Sequence, residues 1–299
     1  MYLQARTELS TLRDVLRFAV SRFTEAKLAF GHGTDNAFDE AAYLVLHALH
    51  LPLDRLDPFL DARLTRSELG RVLDLVERRV IERCPAAYLT HEAWLGDFRF
   101  YVDDRVIVPR SFIAELVRER LAPWLPAAAT VSCVLDLCTG SGCLAVLLAS
   151  HFPEAVVVAT DVSTGALAVA RRNVAEHDLS NRVELVESDV FAALAGRRFD
   201  LIVANPPYVT DAAMFALPCE YRREPELALA GGVDGMNVVR RIVSDAAAHL
   251  TDEGLLVVEV GQNRGCVEAA FPHLPLIWPE TSGGADRVFV ATRADLPGA

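Results

Sequence analysis

The sequence predicts an α/β fold with a smaller helical domain in front of it. From about residue 131 onward, short apolar runs rich in β-branched residues alternate with stretches of helical character. Before that point, apolar residues recur at helical spacing. The chain has 299 residues, of which 52% are apolar, so it is long enough for two domains with buried cores.

The first strand of the predicted sheet leads into a glycine-rich loop. Val131–Leu137 is short, apolar and β-branched, and Cys143–Ala149 is apolar enough to begin a helix that packs on a sheet. Gly140 and Gly142 lie between them, where glycines let the backbone pass close to a ligand. The N-terminus of the following helix supplies free N–H groups. The loop therefore fits a bound nucleoside.

The next two strands end in acidic residues. Ala155–Thr160 is followed by Asp161, about 20 residues after the glycine loop, where nucleotide-binding α/β folds place a carboxylate on ribose hydroxyls. Arg182–Ser188 leads into Asp189 and Val190, which are placed to contact a purine ring. The loop and both strand ends thus predict one nucleoside site.

The fourth strand ends in Asn205-Pro206-Pro207-Tyr208, directly after an apolar run. Proline fixes its own φ and cannot donate to a sheet ladder, so the proline pair ends the strand in one rigid shape. The Asn205 side chain offers an acceptor and two donors, and the ring of Tyr208 offers a flat face for stacking. These residues predict a site for a planar group that carries NH2.

Two cofactor classes use such a frame. Nicotinamide dehydrogenases carry Gly-x-Gly-x-x-Gly, whereas Ala145 stands at the third glycine position here. That alanine is tolerable, so the loop alone leaves both classes open. Hydride transfer has no use for an amide clamp at the fourth strand end, and Asn205–Tyr208 therefore argues against a dehydrogenase.

Helices are predicted in the first part of the chain. Apolar residues keep helical spacing in Leu12–Phe23 and in Leu69–Val80, and another helix is expected around Phe38–His50. Thr65 and Glu68 form a capping box in front of the Leu69–Val80 helix. The helices predict a small bundle, and a separate bundle in front of an enzyme domain suggests substrate docking.

Three segments follow from these patterns. Residues 1–92 are the predicted helical domain, residues 93–110 a linker, and residues 111–299 the domain with the glycine loop. Within the linker, Phe98–Val102 and Arg105–Val108 alternate in polarity around two aspartates, which predicts a β-hairpin.

Charge and cysteine content bear on partner and compartment. The formal net charge of −12 repels DNA phosphates and suits a basic polypeptide. No apolar stretch approaches the roughly 18 residues that span a membrane, and we see no signal peptide, so we expect a cytoplasmic protein. The six cysteines lack metal-site spacing, and we expect neither a metal nor a disulfide.

Further motifs carry a family resemblance. They are Val108-Pro-Arg-Ser-Phe-Ile-Ala-Glu-Leu116, Asp136-Leu-Cys-Thr-Gly-Ser-Gly-Cys143 and the stretch Glu220–Gly235. With Asn205–Tyr208 they resemble HemK-type protein-glutamine methyltransferases, which are class I enzymes that use S-adenosylmethionine. The branch that modifies large-subunit ribosomal protein three is the nearer one, because the release-factor branch usually has glycine where Cys138 stands. Phe112 departs from the ribosomal-protein branch, which usually has proline there.

The resemblance implies a Rossmann-like mixed sheet of seven strands with an antiparallel last strand. It implies S-adenosylmethionine as cofactor and the side-chain amide nitrogen of a glutamine as methyl acceptor. Catalysis would fall to Asn205, Pro206 and Tyr208, and substrate binding to the same residues with Pro207 and Arg110. The residues that would hold the cofactor are Asp136, Cys138, Thr139, Gly140, Ser141, Gly142, Asp161, Val162, Asp189, Val190 and Asn205.

Three other functions stay open at the level of sequence. The same reaction could modify a glutamine of peptide chain release factors. A DNA adenine methyltransferase uses the same clamp on a flipped base, but it would need a basic target-recognition region, which neither end of this chain offers. A non-catalytic assembly factor could retain a cofactor pocket, although it would have no need of an intact Asn205–Tyr208 motif.

Overall fold

The computed structural model of the chain describes residues 1–125 and 130–298. They divide into two compact units. The helical unit comprises Met1–Ala93 with Leu217–Arg223, and the sheet unit comprises Trp94–Ala216 with Glu224–Ala299. Within the described ranges, no helix combines the length and the apolar character needed to cross a membrane.

Capped amphipathic helices shape the helical unit. Thr11 with Asp14, and Thr65 with Glu68, form capping boxes at two helix N-termini. One face of each longer helix is buried in a common core, in which the side chain of Phe23 is fully enclosed. The predicted helices and the predicted capping box are confirmed. The helices are α1 Tyr2–Glu8, α2 Leu12–Glu25, α3 Ala37–Ala48, α4 Arg66–Ile81 and α5 Ala86–Thr90.

A buried ion cluster holds Leu217–Arg223 in the helical unit. The fully buried Arg79 donates from Nε to Glu40 at 2.7 Å and from Nη1 to Glu220 at 3.5 Å. Arg83 donates to the same Glu220 carboxylate at 3.1 Å. Buried charges are costly unless paired in this way. The sequence carried no signal for this return of the chain, because it depends on partners 137 and 141 positions apart.

The sheet unit alternates strands and helices along the chain. Its strands are β1 Ala93–Leu95, β2 Phe98–Phe100, β3 Cys133–Leu137, β4 Val156–Asp161, β5 Val183–Glu187, β6 Phe199–Ala204, β7 Val209–Thr210, β8 Ala230–Gly232, β9 Leu250–Glu259 and β10 Val288–Thr292. Its helices are α6 Ile113–Arg118, α7 Cys143–His151, α8 Thr164–Glu176, α9 Asp211–Ala216, α10 Asn237–His249 and α11 Arg264–Ala270.

A mixed sheet with the order β10-β9-β6-β3-β4-β5 forms the centre of the sheet unit. All neighbours are parallel except β10, which runs antiparallel to β9 as expected. Adjacent residues of one strand face opposite layers. Val134 and Leu201 pack with α6, α7 and α8, whereas Leu135 and Ile202 pack with α10 and α11. Both faces are therefore covered, which explains why the strands read as continuous apolar runs.

The sheet has six strands in the described residues, where seven were expected. Ile277 forms an isolated antiparallel bridge with Val290, with both hydrogen bonds between 2.8 and 2.9 Å. This bridge stands where a further edge strand could continue. Pro275 and Pro279 lie on either side of it and cannot donate to a ladder, so the pairing stops after one bridge.

The linker contains a hairpin, but it is not the predicted pair of strands. β1 pairs with β2 across Gly96 and Asp97, a two-residue turn. Arg105–Val108, predicted as the second strand, is not a strand. The carboxylate of Asp103 instead accepts the backbone N–H of Arg105 at 3.1 Å and pairs with its guanidinium, which fixes a turn at the point where we predicted the hairpin tip.

Candidate active site

One cleft of about 290 Å³ opens at the carboxyl ends of β3, β4, β5 and β6. β3 pairs with β4 on one side and with β6 on the other, so the chain reverses its direction of winding there. Ligands of open α/β sheets bind at such a switch point. Eight predicted site residues line the cleft, namely Cys138, Gly140, Asp161, Val162, Asp189, Val190, Asn205 and Pro207.

The glycine loop has an unusual backbone. Cys138, Gly140 and Gly142 have φ values of 58°, 55° and 79°, in the left-handed region that favours glycine. A methyl group added at Gly140 would meet no protein atom within 4 Å, so this glycine borders open space. One added at Gly142 would lie 3.1 Å from the Cβ of Ala170, which is tighter than ordinary contact. The first glycine thus leaves room for a ligand, and the second lets α7 approach α8.

Asp161 ties this loop to the end of β4. Its two carboxylate oxygens accept the backbone N–H groups of Gly140 and Ser163, each at 2.9 Å. Burial raises the pKa of Asp161, and these hydrogen bonds act in the opposite direction. The carboxylate also lines the cleft, where each oxygen has a further lone pair for a ligand hydroxyl.

Asp136 lies beneath the loop and is fully buried. One carboxyl oxygen accepts a hydrogen bond from Thr139 Oγ1 at 2.5 Å, and the other has no hydrogen-bond partner among the described residues. Burial raises the pKa of Asp136 to about 7, and the bond from Thr139 lowers it. Because Asp136 has no exposed surface and does not line the cleft, it supports the loop from beneath through Thr139.

The end of β5 is held by an ion pair and contains a residue with a positive φ. Asp189 pairs with Arg241 at 2.9 Å, and the hydrogen bond from Arg241 lowers the pKa of Asp189. Val190 has φ 54°, and its carbonyl accepts a hydrogen bond from Ser188 Oγ at 2.8 Å. A non-glycine residue held at positive φ is characteristic of functional sites.

Two of the four residues of the predicted amide clamp, Asn205–Tyr208, line the cleft. Asn205 and Pro207 line the cleft, whereas Pro206 is buried and Tyr208 lies outside the lining. Tyr208 is held at both ends: its hydroxyl donates to Glu259 at 3.3 Å, and its carbonyl accepts from Asn263 Nδ2 at 2.6 Å.

Comparison with known proteins decides the family. Residues 119–217 match the family described as Methyltransferase small domain. A ribosomal protein uL3 glutamine methyltransferase of Bordetella pertussis is 58% identical over 97% of this chain and 98% of its own length. One of Neisseria gonorrhoeae is 56% identical over 100% and 99%. This chain belongs to the ribosomal protein uL3 glutamine methyltransferase family.

The fold agrees with that membership. The hMettl16 catalytic domain, solved in complex with a MAT2A 3′UTR hairpin, aligns with a TM-score of 0.53 over 84% of this chain and 89% of that chain. The identity is 17%, so this likeness shows the fold alone. The predicted fold class, the predicted enzyme class and the predicted family branch are confirmed.

Arg110, which the resemblance assigned to the substrate, forms an ion pair in the structure. Its guanidinium donates to both carboxylate oxygens of the buried Glu224, at 2.6 and 2.5 Å, and it does not line the cleft. Sequence reasoning assigned it to the substrate because it could not see this partner, which lies 114 positions away. The role of Arg110 in substrate binding stays a prediction, because a third of the side chain is exposed beside this ion pair.

Several cleft residues were not predicted. Three residues of the stretch Pro225–Ala228 line the cleft, and so do Arg241 and Arg105–Ile107. The stretch Glu220–Gly235 contributed to the family resemblance, but its residue types did not indicate that part of it lines the cleft. Four further residues predicted to hold the cofactor are buried and do not line the cleft, namely Asp136, Thr139, Ser141 and Gly142.

The cysteines give no sign of redox or metal chemistry. All six thiols are free. Burial raises the pKa of Cys143 to about 12 and also raises that of Cys138, which keeps both thiols protonated and unreactive. No group of three histidine, cysteine or acidic side chains in the described part of the chain could hold a metal ion.

Proposed function

We propose that this enzyme transfers a methyl group from S-adenosylmethionine to the side-chain amide nitrogen of a glutamine in ribosomal protein uL3. The names of relatives at 56% and 58% identity support the substrate. The observation that carries the chemistry is the position of Asn205 and Pro207 in the wall of the nucleoside cleft. Because uL3 is a ribosomal protein, we place the enzyme in the cytoplasm with its substrate.

The cleft has the features that S-adenosylmethionine requires. Gly140 borders open space, and Asp161 presents a carboxylate in the wall. We assign the ribose hydroxyls to Asp161 and the purine end to Asp189 and Val190. The bound cofactor supplies an electrophilic methyl group. The remaining chemistry consists of positioning the acceptor nitrogen and excluding water.

The acceptor is a weak nucleophile, because resonance occupies the lone pair of a carboxamide nitrogen. In our proposal the Asn205 side-chain oxygen and the Pro206 carbonyl accept its two N–H groups, which favours a more electron-rich nitrogen in the transition state. The proline pair fixes the direction of both acceptors. Tyr208 stacks on the amide plane. The methylated amide can lose its proton to water, so this scheme assigns no residue as general base.

The test is methyl transfer to a defined acceptor. Purified enzyme and radiolabelled S-adenosylmethionine are incubated with uL3 and with release factors, both taken from cells that lack this gene, and labelled residues are identified by mass spectrometry. We expect label on one glutamine of uL3 and none on uL3 in which that glutamine is replaced by alanine. Label on a release factor instead would replace the substrate and keep the chemistry. Label on neither would overturn the proposal.

A further inference from the structure

The segment Val108–Phe112 makes two sets of long-range contacts although it lies outside the cleft wall. At one end, the carboxylate of Glu224 accepts the backbone N–H of Val108 at 2.9 Å as well as both donors of Arg110. The Glu224 side chain is fully buried in this arrangement. Three charge-assisted hydrogen bonds on one buried carboxylate fix its neighbours firmly.

The other end of the segment meets a second buried carboxylate. Glu259 Oε2 accepts hydrogen bonds from Ser111 Oγ at 2.6 Å and from the backbone N–H of Phe112 at 2.9 Å. Glu259 Oε1 accepts the hydroxyl of Tyr208 at 3.3 Å. A methyl group added at Gly261 would lie 2.6 Å from the Tyr208 ring, so the ring rests directly on the backbone that follows Glu259.

Both carboxylates adjoin residues of the site. Glu224 immediately precedes Pro225–Ala228, which lines the cleft, and Val108 immediately follows Arg105–Ile107, which lines it too. The Glu224 contacts therefore connect two parts of the cleft wall. The Glu259 contacts connect the same segment to Tyr208 of the clamp.

We infer that Val108–Phe112 is a brace that positions both halves of the active site through two buried carboxylates. Glu224 with Arg110 sets the cleft wall that receives the cofactor. Glu259 with Ser111 sets the Tyr208 ring that stacks on the acceptor amide. These are positioning residues, because they act through wall and clamp residues. The second role rests on the proposed function, and the first requires only a cofactor site.

The Glu224 half is tested by cofactor affinity. Glu224→Gln leaves Arg110 partly unpaired, and we expect the Kd for S-adenosylhomocysteine to rise about 10-fold in calorimetric titration. Glu184→Gln is the matched control, since Glu184 forms a two-pronged pair with Arg197, at 3.1 and 2.8 Å, away from the cleft. Arg110→Lys, which keeps the charge, should give an intermediate Kd. An unchanged Kd in both Glu224→Gln and Arg110→Lys overturns this half.

The Glu259 half is tested by the mobility of the clamp and by turnover. Ser111→Ala removes one hydrogen bond to Glu259, and we expect faster hydrogen exchange in the peptide 203–212 with cofactor Kd unchanged. At saturating cofactor and uL3, kcat should fall about 10-fold. Ser282→Ala is the matched control, because Ser282 also donates to a glutamate, the exposed Glu115. Ser111→Thr, which retains a hydroxyl, should restore kcat.

The two failures are distinguishable. If wild-type enzyme does not methylate uL3, the proposed function fails, and hydrogen exchange and cofactor affinity still test the brace. If wild-type enzyme is active but Ser111→Ala matches it in both exchange and kcat, the brace does not position the clamp. A variant that loses its fold, seen as a lost unfolding transition in circular dichroism, is replaced by Ser111→Cys, which is slightly larger than serine and a weaker hydrogen-bond donor.

Discussion

The glycine loop and the amide clamp lie at the same edge of the sheet but are supported in different ways. The loop depends on near neighbours: Thr139 bonds to Asp136 three positions away, and Gly140 bonds to Asp161 across 21 positions. The clamp depends on distant residues. Tyr208 forms hydrogen bonds with Glu259 and Asn263, 51 and 55 positions away. Glu259 in turn accepts a hydrogen bond from Ser111, 148 positions away from it.

The difference teaches how far a motif describes a site. The residues that hold the glycine loop lie near it in the sequence, so the function of the loop could be predicted from the motif. The clamp is held instead by buried carboxylates from distant parts of the chain, and the residues next to them in sequence do not indicate that role. A loop variant should therefore affect cofactor binding directly, whereas a clamp variant should affect turnover. Four predictions test that separation.

The largest expected effect is on the clamp. Asn205→Ala should lower kcat by about 1,000-fold, because it removes an acceptor aimed at the reacting amide. The Kd for S-adenosylhomocysteine should stay within about threefold of wild type, since the loop is untouched. Turnover on uL3 and calorimetric titration measure the two quantities. The exposed Asn181→Ala is the control, and turnover equal to wild type in Asn205→Ala would remove Asn205 from the mechanism.

The second effect concerns the loop. Asp161→Ala should raise the cofactor Kd about 10- to 100-fold, because it removes the proposed ribose ligand and the acceptor for the Gly140 N–H. At saturating cofactor, kcat should change little. The cofactor Kd of Asp161→Asn should lie between those of wild type and Asp161→Ala. Asp252→Ala, at a highly exposed aspartate, controls for loss of an acidic residue. Wild-type affinity in Asp161→Ala would show that this carboxylate is not the ribose ligand.

The two glycines separate ligand space from packing. Gly142→Ala should lower the free energy of unfolding by about 2 kcal/mol, from its positive φ and the contact with Ala170. Gly140→Ala should lower the free energy of unfolding by about 1 kcal/mol, from its positive φ alone. It should weaken cofactor binding more than Gly142→Ala does, because its methyl group enters the open cleft. Urea unfolding and calorimetry of both variants check the ordering. Equal losses of affinity in both variants would contradict this division of roles.

The smallest effect is a pH dependence of stability. The pKa of Asp136 is raised to about 7 by burial, so between roughly pH 4 and 7 the folded state holds a proton that the unfolded state releases. The unfolded state then binds fewer protons, and the Asp136 contribution to stability falls as pH rises through that window. From pH 5.5 to 8 the loss should be about 2 kcal/mol.

Asp136→Asn removes this contribution. Its free energy of unfolding relative to wild type should therefore rise between pH 5.5 and pH 8, as measured by urea titration at both values. Asp252→Asn, at an exposed position, should show no such rise. A constant difference between Asp136→Asn and wild type across this range would mean that Asp136 is ionised throughout.

Much of the fold and half of the site could be predicted from the sequence. Apolar runs predicted β3, β4, β5 and β6, because both faces of a central sheet must be buried. Glycines with a spaced aspartate predicted the nucleoside site. The hairpin was misplaced because the polarity pattern around Asp103 resembles a strand pair, whereas its carboxylate fixes a turn. The expected seventh strand is reduced to one bridge at Ile277, beside two prolines.

The sequence by itself determined the enzyme class and the residues that we propose for the reacting nitrogen, because both depend on residue type at short spacing. Only the tertiary structure showed that Arg110 pairs with Glu224 and that Glu259 accepts hydrogen bonds from Ser111 and Tyr208. Their role comes from burial: a carboxylate removed from water must collect donors from wherever the fold brings them. Those donors came from Val108–Phe112, more than a hundred positions away in the chain.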